Sequence, residues 1–489
     1  MSKVKNINHT PVMNNLTSEY NFVDNELKNS SEKLKLWKHL KNSGIKKRSG
    51  YCPKEIFFII LSWVFVQNKS IKCFCSKFLS SFFEGGKDVI YKFLIREDIN
   101  WRKLHLSISK EVYTQLKLND DSERAFVVDD TLKQRSGKKV EGRSSHFDHT
   151  EGRCVMGQQV VELGLATNKG FIPIAEQMYI SGQKVFKREK PFKDGRSAVA
   201  KSYTCAENCT KHEILEQLIA CSVRKGILAK YLLGDSWFGC KKNIKLALKY
   251  NMIGIYRMKR SNTKYIFQGK EYKISELYML VKRRLEKSNK NNWKTATLTV
   301  SLNISDKKGK EDFIPVKLVF TTPKNPKRGE WAIFLTTDIE MTAEKVLQIY
   351  AMRWGIEVYF KEIKQNMGFL DEQTGNYVSH HASIHLAAIR YLLLFDSMHQ
   401  RGCSFGEIRD EVSGKMEMIC FASLLWELFK AIIYGVLDSF QSKIGTALLN
   451  DIKVFMQNSI EDFLEQALQL NCGYIKNEEK ANKLGLLPD

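Results

Sequence analysis

The pattern of the chain changes near Arg124, and that change limits the possible folds more than any other feature. Upstream, from Glu32 to about Leu116, apolar residues recur at helical spacing with few turn signals besides Gly85-Gly86. Downstream, Ala125-Phe-Val-Val128 is an unbroken apolar run that stops at Asp129 and predicts a short buried strand. Residues 154–166 and 171–180 predict two further strands, and Asn168-Lys-Gly170 between them suits a hairpin turn. Thr210-Lys-His-Glu213 has the form of a capping box and opens a helix of about 15 residues. Tyr231-Leu-Leu then predicts a strand running to Asp235, followed by a helix from Lys241 to Tyr250 and a strand from Met252 to Arg257.

Three strands, helix, strand, helix, strand is the element order of an RNase H-like core, with helices layered on a mixed sheet. In that order the ends of the first and fourth strands are neighbours, so Asp129 and Asp235 are expected to converge. Residues 258–330 read as a β-rich insertion, with alternation in Thr295–Ser301 and Phe313–Phe320. Trp331–Thr337 returns the chain to the core, and one long helix is expected from Met341 to about Phe369. The expected class is α/β: an RNase H-like catalytic core with a β-rich insertion, flanked by helical N- and C-terminal domains. The expected divisions are 1–120 (helical, basic, DNA-binding), 121–257 (core, first part), 258–330 (insertion), 331–400 (core, closing part) and 401–489 (helical, a candidate for dimerisation). Residues 1 to about 30 are polar and Asn-rich and read as a mobile arm.

Within the long helix, Tyr350, Arg353, Glu357 and Lys364 lie at offsets of 0, +3, +7 and +14, close to whole helical turns, so one face carries all four. A carboxylate beside a guanidinium, an ammonium and a phenol suits a metal next to a phosphate. With Asp129 and Asp235 it forms a three-carboxylate set fit for two divalent cations about 4 Å apart and for phosphoryl transfer. Hard oxygen ligands favour Mg²⁺, with Mn²⁺ as a substitute. Taken singly, an Asp after a strand is a common turn residue, and a helical Glu beside Lys is a common surface ion pair. Asp130 competes with Asp129, which is preferred because it directly follows the apolar run. Glu362 competes weakly with Glu357, since it points about 140° away around the helix.

The chain has 77 Lys and Arg against 54 Asp and Glu, a formal charge of +23 spread along its length, which favours a polyanionic partner such as DNA over a membrane surface. The opening residues lack the apolar core of a signal peptide, and the longest apolar run, Ile56 to Val66, is shorter than the roughly 20 residues of a membrane span and reads as a buried helix. Eleven Cys without a secretory signal point to reduced thiols and a cytoplasmic setting. Cys205-x3-Cys209-x2-His212 lacks a fourth zinc ligand nearby. His381 and His385 lack the Glu of a zinc-protease helix and suit helix packing or phosphate contact. His146, Asp148 and His149 fall in what reads as a polar loop near DNA.

Tyr350-x2-Arg353-x3-Glu357-x6-Lys364, with Trp354 after the Arg, resembles the signature of the YREK-type DDE insertion-sequence transposases (the insertion-sequence-4 family). Val127-Val-Asp-Asp-Thr131 and Gly234-Asp-Ser-Trp-Phe-Gly239 resemble that family's two Asp motifs, and the likeness covers about residues 120–395. The resemblance implies a cut-and-paste reaction. Mg²⁺-activated water nicks the DNA at the inverted-repeat end of the element; the freed 3′-hydroxyl attacks, often through a hairpin, and finally joins target DNA. It implies Asp129, Asp235 and Glu357 as metal ligands, Arg353 and Lys364 on phosphates near the cut, and the Tyr350 hydroxyl on a phosphate. An aromatic of the insertion stacks on a flipped base; Trp293 is the candidate, with a core tryptophan of the small β domain as the equal alternative. The implied assembly is a homodimer on double-stranded DNA, away from any membrane, at the nucleoid of a bacterial cytoplasm. Two other readings are an RNase H-like nuclease without strand transfer and a non-catalytic DNA-binding protein derived from a transposase.

Overall fold

The computed structural model describes residues 30–455 except 31, 47–49, 67–69, 80–82, 84, 149–150, 288–292, 306–310, 328, 440–447, 449 and 453. The arm expected at residues 1 to about 30 falls almost wholly outside the described residues, as do His149 and the end of the helical region expected at 401–489. By contacts the chain divides into two units. One comprises residues 99–365 and 375–377; the other comprises residues 1–98, 366–374 and 378–489.

The first unit is built on a mixed sheet of twelve strands. They are β1 (Ala125–Gln134), β2 (Ser144–Asp148), β3 (Arg153–Thr167), β4 (Gly170–Tyr179), β5 (Tyr231–Gly234), β6 (Ile253–Arg257), β7 (Lys264–Phe267), β8 (Lys270–Lys273), β9 (Glu286–Lys287), β10 (Trp293–Asn303), β11 (Phe313–Pro323) and β12 (Ala332–Thr336). Their lateral order is β2-β3-β1-β5-β6-β12-β11-β10-β7-β8, with β4 beside β3 and β9 beside β10. At the centre β1, β5 and β6 run parallel, whereas β3 and β12 flank them antiparallel. β5 is buried at all four positions, as a parallel strand covered on both faces must be.

Local chemistry accounts for several elements. The two-residue turn Asn168-Lys169 closes the β3–β4 hairpin, with Gly170 at φ 117°. Thr210 and Glu213 make the reciprocal capping box that opens the helix Lys211–Arg224. The helix Trp101–Gln115 buries Leu104, Ile108 and Val112. It packs on β4, where Ser109 donates to the Pro173 carbonyl, so its apolar face belongs to the sheet unit. The segment read as a polar loop around His146 is the strand β2, paired with the start of β3. The alternation in the insertion becomes the β10–β11 ladder. That ladder does not stand apart: β11 pairs with β12 and β12 with β6, which continues the central sheet.

The long helix expected from Met341 is two helices, Ala343–Ala351 and Trp354–Asn366. Around Met352 and Arg353 the amides bond three residues back (Arg353 N to Tyr350 O, 3.0 Å; Ile356 N to Arg353 O, 3.2 Å), which tightens the turn and re-aims the chain. A tertiary contact fixes the new direction. A Cβ on Gly355 would stand 2.9 Å from Phe171 Cβ, so glycine permits the close approach, and Tyr359 one turn later packs on the same ring at 5.3 Å.

The second unit is helical. Pro53–Ser62 buries Ile56, Phe57, Ile59 and Ile60, as the apolar run predicts. Arg390, 2% exposed on the helix Tyr377–Arg401, donates to the carbonyls of Leu61 (2.9 Å), Met367 (2.7 Å) and Ile60, satisfying groups that the helix end leaves open. His381 and His385 are buried on the same helix and pack edge to face at 4.6 Å. Phe405–Ser439 forms one further helix.

Candidate metal and DNA site

The register of the parallel ladder brings the first two carboxylates together. The β1–β5 pairing ends at Val128↔Gly234, so Asp129 on β1 and Asp235 just past the end of β5 are the next residues along the two segments. β1 continues to Gln134 against β3, so Asp129 lies within a ten-residue strand and not at the end of a short one. It stands where the parallel partner leaves and the site opens. Asp235 is held by its own turn, its Oδ1 accepting from the amides of Trp237 (2.9 Å) and Phe238 (3.1 Å).

Glu357 arrives in the first turn of Trp354–Asn366. Arg353 joins it to β1: Nη1 donates to Asp129 Oδ2 at 2.8 Å and Nη2 donates to Glu357 Oε1. The Tyr350 ring lies 5.8 Å from the Arg353 guanidinium carbon and packs on Phe334. Burial raises the Tyr350 hydroxyl above its ordinary pKa, Arg353 opposes that, and Asp235 adds to it, so Tyr350 faces both. Lys364 is lowered by burial and by Lys133 and supported by Asp148 and Asp130, which puts it on the β1–β2 side of the site. The structure therefore brings together Asp129, Asp235, Tyr350, Arg353 and Glu357, with Lys364 at the edge. Trp354 is 65% exposed beside them. Trp293 is 47% exposed at the start of β10, which removes the core-tryptophan reading, and no described hydrogen bond or ring contact joins it to the carboxylates.

Asp129 and Asp130 have different surroundings. Both oxygens of Asp130 are taken, Oδ1 by Gln159 Nε2 at 2.6 Å and Oδ2 by Lys211 Nζ at 2.7 Å. The Asp129 carboxyl is pushed up to about 7 by burial first and the Asp235 carboxylate second, with Arg353 opposing. A carboxyl whose proton affinity is raised by burial and by a second carboxylate, with hard oxygens only, fits a divalent cation, which would relieve the repulsion. The lateral row continues from Asp129 through Glu162 to Glu176. Glu162 is buried beside Asp129, and burial with Glu176 beside it carries its carboxyl well above the usual range. Glu176 pairs with His105 at 2.7 Å.

Several supporting residues carried no signal of their own in the sequence. Lys211, Gln159 and Phe171 each act through a partner far along the chain. Lys211 had one indirect mark, its place in the capping box at the first turn of a helix. The thiols of Cys205 and Cys209 both contact Gln217, while His212 turns to Asn243 (3.2 Å) and stacks on Trp237, so the three form no ligand set.

Residues 81–276 match a family model described as DDE superfamily endonuclease, and residues 194–393 match one described as transposase DDE domain. No curated protein matches the chain. The first match contains Asp129 and Asp235, the second Asp235 and Glu357, and each spans less than half of the chain. The residues that converge in space are thus those spanned by the two matches, which together indicate a nuclease-type enzyme and support a DDE transposase or endonuclease.

Proposed function

We propose that the chain is a YREK-type DDE transposase. On this reading a core of RNase H-like fold nicks DNA at the inverted-repeat ends of an insertion sequence and joins the freed 3′-hydroxyl to target DNA by cut and paste. The observation that carries the reading is the single guanidinium of Arg353, bonded at once to Asp129 on a strand and to Glu357 on a helix, with Asp235 one residue beyond the last parallel pair. Asp129, Asp235 and Glu357 would hold two Mg²⁺ ions, or Mn²⁺ in their place. When bound, such cations activate the attacking hydroxyl and stabilise the leaving oxygen.

The chain's own residues do the rest. Arg353 offers a planar fork to a phosphate, which the point charge of Lys364 cannot match, and so orients the scissile group. The Tyr350 hydroxyl, held protonated at neutral pH, donates to a neighbouring phosphate. Trp354 is available on the surface to the DNA, and Trp293 offers a face to a flipped base. The charge of +23 supports double-stranded DNA as partner, with a homodimer holding two ends. No helix among the described residues is long and apolar enough to cross a membrane. The proposed setting is the nucleoid of a bacterial cytoplasm.

The test is single-turnover nicking of an end-containing duplex in Mn²⁺. Asp129→Ala, Asp235→Ala and Glu357→Ala should each slow it on the order of a thousandfold while melting stays cooperative, and Arg353→Ala about a hundredfold, with Arg353→Lys failing to restore it. Near wild-type nicking by any of the carboxylate variants removes that residue from the site. Hydrolysed ends without joined products would leave a nuclease alone, and wild-type binding without nicking would leave a DNA-binding protein.

A further inference from the structure

Lys211 opens the helix Lys211–Arg224, and the capping box of Thr210 and Glu213 fixes where its backbone stands. Its side chain is 11% exposed and touches three other elements. Nζ lies 2.7 Å from Asp130 Oδ2 on β1, 4.7 Å from the Trp237 ring centre in the turn after β5, and 5.3 Å from the Tyr179 ring centre at the end of β4. Two of these ties have a second support. Gln159 holds the other oxygen of Asp130 at 2.6 Å, and the His212 ring stacks on Trp237 at 4.8 Å and 15°. Asp130 adjoins Asp129 on the backbone. Trp237 donates its amide to Asp235. One ammonium therefore connects the neighbour of one carboxylate to the turn that holds the other.

We propose that Lys211 is a positioning residue that sets the separation of Asp129 and Asp235, and with it the affinity of the pair for divalent cations. The inference rests on the reading of those two carboxylates as metal ligands. The physical basis is that the β1–β5 ladder stops at Val128↔Gly234, so backbone pairing between the two strands no longer constrains the residues beyond it. A buried ammonium that binds a carboxylate on one side and an aromatic face on the other supplies the missing cross-link. Lysine fits because its charge is compact enough to meet a carboxylate and two rings at once.

The experiment compares wild type, Lys211→Met, Lys211→Arg and Asp129→Asn as full chains. Mn²⁺ binding is measured by calorimetry, nicking by single turnover, and folding by melting. Lys211→Met should weaken Mn²⁺ binding and slow nicking at limiting Mn²⁺ by about tenfold or more, with part of the rate recovered at high Mn²⁺. Lys211→Arg, which keeps the charge and the ability to stack but on a broader planar group, should recover part of the affinity. A merely structural lysine would lower the melting temperature without changing the Mn²⁺ dependence of the folded protein. Wild-type Mn²⁺ affinity in Lys211→Met, beside lost affinity in Asp129→Asn, overturns the role of Lys211 alone. Unchanged Mn²⁺ binding and nicking in Asp129→Asn overturns the metal-site reading and the role of Lys211 with it.

Discussion

The parallel centre of the sheet and its antiparallel extension bury similar residues to different degrees. β5 is four residues long and buried throughout; β10 is eleven residues long and alternates, with Ala296, Leu298, Val300 and Leu302 inward and Thr297 and Thr299 exposed. A strand covered on both faces has its register fixed by packing on both sides, and a one-residue slip would put Asp235 out of line with Asp129. A strand with one open face has a free surface to offer a partner. The comparison teaches that Asp129 and Asp235 stand directly beyond the most fully covered part of the sheet, whereas the exposed aromatic, Trp293, lies on a strand with one open face.

The largest effect that tests this contrast is on stability. Leu233 in β5 is fully buried and Leu298 in β10 is 8% exposed. Leu233→Ala should cost about 4 kcal/mol and Leu298→Ala about 2 kcal/mol in denaturant unfolding. Equal costs, or the reverse order, would break the distinction between the two halves of the sheet.

A second effect comes from the charge that the buried centre tolerates. The folded pKa of Asp129 is raised to about 7, so the folded state holds a proton that the unfolded chain releases at lower pH. Its contribution is favourable below the ordinary carboxylate range and is lost as pH rises through about 7. Asp129→Asn should therefore stabilise the metal-free protein at pH 8, on the order of 2–4 kcal/mol, and hardly at all at pH 4. Melting curves at the two pH values check this, and a gain that does not vary with pH would refute the electrostatic cause.

The smallest effect belongs to the insertion. Trp293→Ala should weaken binding of the cleavable DNA end by about 1 kcal/mol and leave the nicking rate at saturating DNA within about twofold. A large loss of rate would place the β10 end inside the chemistry and erase the contrast.

Features that depend on near neighbours were legible in the sequence. The Thr210–Glu213 box and the Asn168-Lys-Gly170 turn stand as read, and the buried helix read at Ile56 to Val66 is α-helical over Pro53–Ser62 with a 3-10 turn at Trp63–Phe65; all three rest on contacts within a few residues. The convergence of Asp129 and Asp235 was legible because the apolar runs before them admit one pairing and the element order makes their strands neighbours. The long helix was misread because its four marked residues keep whole-turn spacing across a break. Beside that break Gly355 closely approaches Phe171, some 180 positions away, a contact that periodicity does not register.

The polar loop at His146 was misread for a related reason. Ser144–Asp148 has little strand character of its own and becomes a strand because β3 extends far enough to pair with it. Asp130 shows the same limit at a single residue. Locally it differs from Asp129 only in standing one residue further from the apolar run, and what separates their surroundings is Lys211 and Gln159, brought in from a helix and a neighbouring strand.

The amino-acid sequence by itself determined the main strands and helices around the candidate carboxylates and the net positive charge, because periodicity, capping and charge are carried by the residues themselves. Tertiary structure decided which Asp pairs with Lys211 and Gln159, where the helix bends, how the insertion extends the sheet and which turn Lys211 meets beside Trp237. Those outcomes depend on register and on contacts between distant segments, and such contacts form once the chain has closed on itself.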